Sequence, residues 1–214
     1  MYVFCLFINS SCFAQDNVII PDLSKIVANE GWISINREAK FVQEEGKKAV
    51  YLDSRQGDGV VWLKNLDFQN GIIELDIKGK DVQGSSFVGV AFRGINDSTF
   101  DAVYFRPFNF LNKDSVRKSH SVQYISSPEY TWEKLRNNFP GKYEKTVNPV
   151  PDPNSFFHAK IVIQKPKIIV FVNYSNEPSL MVEELSNRNG GYIGLWVGNY
   201  SDGYFANLTI NKKY

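Results

Sequence analysis

Cysteine is nearly absent from this chain of 214 residues. Its two cysteines, Cys5 and Cys12, both lie close to the start. The remainder of the chain therefore has no disulfide, thiolate nucleophile or cysteine-based metal site. Two histidines, His120 and His158, stand far apart and have no further ligand residues at metal-binding spacing. We therefore expect no metal and no other cofactor.

An excess of charge of one sign is also missing. Lys and Arg number 24, Asp and Glu number 23, and the formal net charge is +1. This balance does not indicate a nucleic acid or an anionic membrane as partner and favours a neutral one. No apolar run is long enough to span a membrane. The sequence also lacks a phosphate loop, a dinucleotide fingerprint and the Gly-x-Ser-x-Gly elbow of hydrolases.

The first fourteen residues are typical of a secretion signal. An apolar stretch from Met1 to Phe7 leads through small residues to Ala14, after which the chain becomes polar. The usual basic residues are missing, so the true start could lie upstream of Met1. A buried first strand and lipid attachment at Cys12 are the alternatives. We expect residues 15–214 to form one domain, secreted or periplasmic, since an exported chain without cysteine fits a bacterial cell envelope.

Short strand-like runs separated by turn sequences fill the chain from Gly31 onward. Their length and spacing predict an all-β antiparallel sandwich of two sheets and not a βαβ fold. The runs are Trp32–Ile35, Lys40–Gln43, Ala49–Asp53, Val60–Lys64, Ile72–Lys78, Phe87–Arg93, Phe100–Arg106, Ser121–Ile125, Phe157–Ile163, Ile168–Val172, Ser179–Val182, Tyr192–Val197 and Tyr204–Ile210.

Residues 107–155 interrupt this pattern with a long excursion that carries one short helix. Ser127 is in place to cap the helix, Pro128 occupies its first position, and Trp132 and Leu135 follow at helical spacing. Long loops in compact domains are usually functional or disordered, and the aromatic content of this one favours order. We expect it to form the rim of a cleft.

Alternation within the strands separates an apolar set of side chains from a set rich in Tyr, Trp and Arg. Val88, Val90, Phe92, Val103 and Phe105 share one parity, which predicts that they face the core. The other parity places Arg93, Tyr104, Arg106, Gln123 and Trp196 over Gly89, Ala91, Ala102 and Gly194. This second set predicts a cleft on one concave sheet. If the parity were inverted, Arg93 and Arg106 would be buried.

Flat aromatic rings with polar tips suit the C–H faces of sugars, and guanidinium groups suit hydroxyls or a carboxylate. An open cleft also implies that Tyr104 and Trp196 can be truncated with little loss of stability. The residues that we predict to bind the ligand are Arg93, Tyr104, Arg106, Asn109, His120, Gln123, Trp132 and Trp196.

A catalytic residue is not identified. Glu74 and Asp76 share one face of a strand, as do the two carboxylates of a retaining glycosidase. The alternative is a solvated strand face with a Glu–Lys pair. The other candidate groups are Asp101, Glu129 and His120.

Several runs resemble the concanavalin A-like lectin and glucanase superfamily, and in particular secreted Bacteroidetes proteins related to the 3-keto-disaccharide hydrolase domain and laminin-G-like jelly rolls. They are the segments at 70–77, 87–94, 103–106, 191–196 and 205–208. The resemblance implies an exported, monomeric jelly-roll module that binds a carbohydrate and could hydrolyse a 3-keto-disaccharide-like substrate. A non-catalytic carbohydrate-binding or adhesion module is the alternative. Lys78, Gly79 and Lys80 stand where a laminarinase carries its acid/base Glu, so that mechanism lacks its proton donor.

Overall fold

The computed structural model of the protein describes residues 17–213, and the predicted signal peptide lies outside them. Two antiparallel sheets pack face to face and form a jelly-roll sandwich, which confirms the predicted fold class. No helix within residues 17–213 is long and apolar enough to cross a membrane.

The sheet that we call the back sheet has eight strands. Its order is β13 (Leu180–Glu183), β12 (Lys167–Val172), β11 (Phe157–Gln164), β6 (Asn70–Lys78), β15 (Gly203–Lys213), β4 (Lys47–Leu52) and β3 (Ala39–Glu44), and β1 (Asn17–Ile19) also pairs with β15.

The front sheet has seven strands. Its order is β10 (Glu144–Lys145), β9 (Val122–Ser127), β8 (Phe100–Phe105), β7 (Val88–Gly94), β14 (Tyr192–Val197), β5 (Gly59–Leu63) and β2 (Trp32–Ile35). Two short α-helices, α1 (Ser115–Lys118) and α2 (Trp132–Asn138), and 3₁₀ turns at Leu23–Ile26 and Pro107–Asn109 complete the elements of the described chain.

The core lies between the two sheets and follows the predicted alternation. Phe105 of the front sheet meets Phe157 of the back sheet, with ring centroids 4.9 Å apart. Ile73, Leu75 and Ile77 of β6 are fully buried on the inner face of the back sheet. Apolar residues at every second strand position thus supply the hydrophobic contact that holds the sandwich together.

All thirteen predicted runs overlap observed strands, whereas β1 and β10 were not predicted. The predicted helix exists but begins later. Ser127 ends β9, where it pairs with Phe100, and Thr131 caps α2 by accepting a hydrogen bond from the backbone N–H of Lys134. The strand pairing of Ser127 therefore excludes the cap that the sequence pattern suggested.

Candidate functional site

One row of paired residues crosses the outer face of the front sheet. Gln123 pairs with Tyr104, Tyr104 with Gly89, Gly89 with Trp196, and Trp196 with Val60. The rings of Tyr104 and Trp196 meet across Gly89, with centroids 5.0 Å apart. A Cβ atom at Gly89 would lie 2.5 Å from the Cα of Tyr104, so a larger residue does not fit between the two strands. The predicted parity therefore holds at these positions.

A cleft of about 580 Å³ lies over this row. Volumes in this range accommodate small-molecule ligands. Six of the eight predicted binding residues line the cleft, namely Tyr104, Arg106, Asn109, His120, Trp132 and Trp196. The structure thus brings together residues that lie far apart in the sequence, and their role in binding stays a prediction.

The wall on one side comes from the excursion that the sequence analysis identified as a rim. The 3₁₀ turn Pro107–Asn109 supplies Asn109, α1 supplies Arg117, and α2 supplies Trp132 and Arg136. Asp114 caps α1 by accepting hydrogen bonds from two backbone N–H groups of its first turn. Arg117 donates a hydrogen bond of 3.2 Å to Oε1 of Gln83, which closes this side of the cleft.

The opposite wall consists of two loops that Arg37 holds together. Its Nη2 donates to the carbonyl oxygens of Gly57 and Gly198, at 2.7 and 2.8 Å. The backbone N–H of Gly57 in turn donates to Oδ1 of Asn199. These contacts fix the position of Asp58 at the cleft, so the carboxylate lies on a supported loop.

Tyr104 and Trp196 form a buried floor and not an open platform. Their side chains are only 2% and 4% exposed, which contradicts the expectation that either ring can be truncated at little cost. Arg106 covers part of the floor, with its Cζ 4.8 Å from the centroid of the Tyr104 ring. Trp132 is 46% exposed and is the accessible aromatic ring at the rim.

The predicted floor of small residues is also partly filled. A Cβ at Gly194 would lie 2.6 Å from the indole of Trp62, whose ring therefore covers that end of the sheet.

Gln123 lies beneath the cleft and not at its surface. Its side chain is fully buried, and its Oε1 accepts hydrogen bonds from the hydroxyl of Tyr104 at 2.8 Å and from Nη2 of Arg106 at 2.5 Å. Nη2 of Arg106 also donates to the hydroxyl of Tyr104, and Nη1 donates to the carbonyl of His120. Gln123 therefore orients the two residues above it.

Glu144 of β10 organises the basic side chains behind the cleft. Its two oxygens accept hydrogen bonds from Nε and Nη2 of Arg136, at 2.9 and 2.7 Å. Nδ1 of His120 lies 2.8 Å from Oε1, and Nη1 of Arg106 lies 3.6 Å from Oε2. Burial acts to raise the pKa of Glu144, but the hydrogen bonds from Arg136 and the nearby positive charges outweigh it, so the pKa is lowered. Glu144 is therefore ionised.

The pKa of His120 is lowered, chiefly because burial disfavours the imidazolium, and the charge of Glu144 opposes this effect only in part. Burial likewise lowers the pKa of Arg106. The pKa of Asp58 is raised, chiefly because the surrounding cleft walls desolvate its carboxylate. A hydrogen bond from the Asn199 backbone and the charge of Arg37 oppose this effect only in part. The residue nevertheless remains accessible to water.

Arg93 does not lie in the cleft, and here the predicted parity is wrong. Two residues of β7, Phe92 and Arg93, oppose the single residue Ile193 of β14, which forms a β-bulge, and Arg93 has a φ of 49°. The bulge turns the side chain toward the core, where it forms an ion pair with Glu184 and donates to the carbonyl of Gln69. Arg93 is fully buried.

Four of the five candidate catalytic groups lie outside the cleft. Asp101 is fully buried and pairs with Arg188, and Glu129 is exposed near Lys134. Glu74 and Asp76 lie on the outer face of the back sheet. His120 alone lines the cleft.

Asp76 is held by three donors and carries no obvious catalytic role. Its carboxylate lies 3.0 Å from Nδ1 of His158 and 3.0 Å from Nζ of Lys47, and it accepts a hydrogen bond from Asn207. Burial acts to raise its pKa, but the three partners outweigh burial and lower the pKa of Asp76 to about 2. The face carries paired charges, among them Glu74 and Lys160, as the alternative expected, but Asp76 is 6% exposed and is therefore not solvated.

Acid should therefore remove the contribution that the ionised Asp76 makes to the stability of the fold. Because the folded-state pKa is depressed, the contribution is present above the unfolded pKa near 3.8 and is lost as the pH falls toward 2. The loss should amount to about 2 kcal/mol in the free energy of unfolding. Denaturant titrations of wild type and Asp76→Asn between pH 5 and 2 measure it. The difference between the two proteins should shrink as the pH falls, whereas a constant difference would contradict the ion pairs. Asp97→Asn, at an exposed turn, is the control and should follow the wild type.

Sequence reasoning missed Asp58, Phe87, Arg117, Arg136 and Asn199, all of which line the cleft. Arg136 follows Trp132 by four positions in a predicted helix, which places the two on one helix face, so this residue could have been found. Its guanidinium lies over the Trp132 ring, 5.1 Å from the centroid. Asp58 has no comparable signal, because it reaches the cleft through loop packing. Within residues 17–213, no cluster of three His, Cys, Asp or Glu side chains is placed to hold a metal ion.

No protein-family model matches the chain, and no curated protein matches it. Solved structures share its fold. The carbohydrate-binding module CBM66 from Bacillus subtilis is 17% identical with a TM-score of 0.61, and the match covers 85% of this chain and 96% of that one. The β-glucanase of Bacillus licheniformis is 16% identical with a TM-score of 0.53, covering 87% and 94%. The lumenal domain of VIP36, in a form with bound Ca²⁺ and Man3GlcNAc, is 10% identical with a TM-score of 0.55, covering 94% and 89%.

These likenesses show that the chain has a jelly-roll fold, as the resemblance implied. Fold alone does not assign an activity.

Proposed function

We propose that the cleft on the front sheet binds a carbohydrate, and that the protein is a non-catalytic carbohydrate-binding module. The observation that carries the proposal is the convergence of an exposed Trp132, a half-buried Phe87 and several fixed polar groups on one cleft. Sugars present apolar C–H faces and a ring of hydroxyls, and a site for them needs both kinds of surface. Two solved structures of this fold, the carbohydrate-binding module CBM66 and VIP36 with bound Man3GlcNAc, support the same function.

The polar groups are held in place before any ligand arrives. Arg106, Gln123 and Tyr104 bond with one another, and Arg37 fixes the loop of Asp58. A preorganised site loses less conformational entropy when it binds, so more of the contact energy appears as affinity. Asp58 at one wall and Asn109 at the other could accept or donate hydrogen bonds to sugar hydroxyls.

Hydrolysis of a 3-keto-disaccharide-like glycoside is the second candidate, and the raised pKa of Asp58 is the observation in its favour. A general acid must carry a proton at the working pH, and a raised pKa favours the protonated form. Glycosidases usually need a second carboxylate. Among the described residues Asp58 is the one carboxylate that lines the cleft, because Glu144 lies behind it and is occupied by Arg136. Binding without catalysis is therefore the better-supported function.

The proposal includes export to the cell envelope or beyond, which residues 1–14 indicate, and a monomeric state.

Replacing Trp132 by alanine should weaken glycan binding roughly tenfold, as expected for the loss of one stacking surface. Because the ring is 46% exposed, the change should alter the free energy of unfolding by no more than ~0.5 kcal/mol. A glycan array identifies the ligand, calorimetry measures the affinities, and the same glycans and 3-keto-disaccharides are screened for hydrolysis.

Tyr174→Ala is the matched control, since it removes an aromatic ring that is 79% exposed and stacks on His158 of the back sheet. Equal losses of affinity in the two variants would contradict a site at the cleft. If the wild type releases a hydrolysis product and Asp58→Asn does not, the protein is instead a hydrolase.

A further inference from the structure

Glu144 is one carboxylate shared by three basic side chains. Arg136 occupies both of its oxygens, Nδ1 of His120 lies 2.8 Å from one, and Nη1 of Arg106 lies 3.6 Å from the other. Arginine side chains stay protonated in proteins. Even with a neutral His120, this cluster therefore holds two positive charges against one negative charge.

The other charged groups around the cleft do not remove this surplus. Asp58 lies on the opposite wall, where the charge of Arg37 acts on it. Arg117, on the near wall, has Oδ2 of Asp114 4.0 Å from its Nε. Neither Asp58 nor Asp114 forms an ion pair with Arg106 or Arg136, so within residues 17–213 one positive charge remains uncompensated at these two arginines.

The surplus charge is partly buried, which makes it costly. Arg106 is 4% exposed, and burial lowers its pKa because water no longer solvates the ion. Proteins normally give buried charges a counter-charge. Both arginines line the cleft, so a counter-charge could come from a bound molecule.

The geometry at the rim allows such a group to approach. Arg136 uses Nε and Nη2 for Glu144, and its Nη1 forms no hydrogen bond with residues 17–213. Its side chain is 31% exposed. Because the guanidinium also lies over the ring of Trp132, a sugar stacked at this rim would bring its substituents close to Nη1.

We infer that the carbohydrate bound in the cleft is acidic and carries a carboxylate or a sulfate ester, which lies against Arg136 and Arg106. A guanidinium forms paired, charge-assisted hydrogen bonds with oxyanions of either kind. The inference rests on the proposed function and narrows it to one class of glycan. It also differs from the neutral partner that the balanced composition suggested. The positive charge surplus is confined to the cleft, and a net charge of +1 for the whole chain does not reveal it.

Affinity electrophoresis of the full chain in gels that contain matched polysaccharides tests the inference. The pairs are polygalacturonate with galactan, glucuronoxylan with unsubstituted xylan, and carrageenan with its desulfated form. We expect at least one acidic member to bind about tenfold or more tightly than its neutral partner. The first two pairs report a carboxylate and the third reports a sulfate ester.

Variants separate a local contact from general electrostatics. Arg136→Gln should weaken binding of the acidic polysaccharide about tenfold and reduce the dependence of affinity on salt. Lys160→Gln removes the same charge from the back sheet, where the side chain is 40% exposed, and should have no effect. Arg117→Gln is a second variant of a cleft residue. It should fold normally, because the side chain is 56% exposed.

Binding of the neutral and acidic members with equal affinity would overturn the inference and leave carbohydrate binding intact. Equal effects of Arg136→Gln and Lys160→Gln would overturn it as well. Failure to bind any of the six polysaccharides, together with a silent glycan array, would contradict the proposed function itself.

Discussion

Arg93→Met should lower the free energy of unfolding by about 3 kcal/mol and leave carbohydrate affinity unchanged. The guanidinium is fully buried, pairs with Glu184 and lies 3.8 Å from Asp101. Removing one partner of a buried ion pair typically costs ~3–5 kcal/mol, because the other charge stays buried. We expect the lower end of that range, since Lys165 lies 3.4 Å from Glu184 and would still neutralise part of its negative charge.

Denaturant unfolding and calorimetry of the same preparation measure the two quantities. Arg55→Met is the matched control, because its side chain is 45% exposed and pairs with the exposed Glu38 and the half-buried Asp53. It should change stability by no more than ~0.5 kcal/mol. If Arg93→Met instead kept its stability and lost affinity, Arg93 would belong to the cleft, as the strand alternation alone predicted.

Tyr104→Ala should be the most destabilising change at the cleft, at ~3–5 kcal/mol. The ring is 2% exposed and contacts Trp196, and its loss would leave a cavity in the floor. Tyr104→Phe keeps the ring and removes the hydroxyl that accepts from Arg106 and donates to Gln123. We expect this milder variant to lose ~1–3 kcal/mol, because a buried guanidinium would lose a partner.

Thermal and denaturant unfolding of the two variants measure these losses. A stability change near zero in Tyr104→Ala would mean that the ring is exposed, as the sequence pattern alone suggested. Tyr104→Phe gives the better test of binding, since most of the fold's packing survives in it. Weaker binding by Tyr104→Phe at a temperature where it is fully folded would indicate that the hydroxyl orients Arg106 for the ligand.

The strands could be predicted from sequence because their alternation records which face meets the core. This signal placed Tyr104, Arg106 and Trp196 on the outer face of the front sheet, although it could not show that all three are buried there. It failed at Arg93, because a β-bulge changes the parity and leaves no mark in the pattern. It also missed β10, whose two residues are too few to show any period.

The walls of the cleft were harder to predict than its floor. Asp58 and Asn199 reach it because Arg37 joins two loops that are remote in sequence, and no local pattern encodes that contact. Glu144 could not be predicted for the same reason. Two of its basic partners, His120 and Arg136, come from different segments of the excursion, and the third, Arg106, directly follows β8. The excursion itself could be predicted to form the rim, because an ordered loop of that length in a compact domain usually has a function.

A crystal structure of the protein with the glycan that the array identifies tests the site most directly. We expect a sugar ring in the cleft of the front sheet, in contact with Trp132, with an oxyanion within hydrogen-bond distance of Arg136. A glycan bound at the smaller hollow beside Lys78 and Tyr204 on the back sheet, with the front cleft empty, would contradict the proposed site.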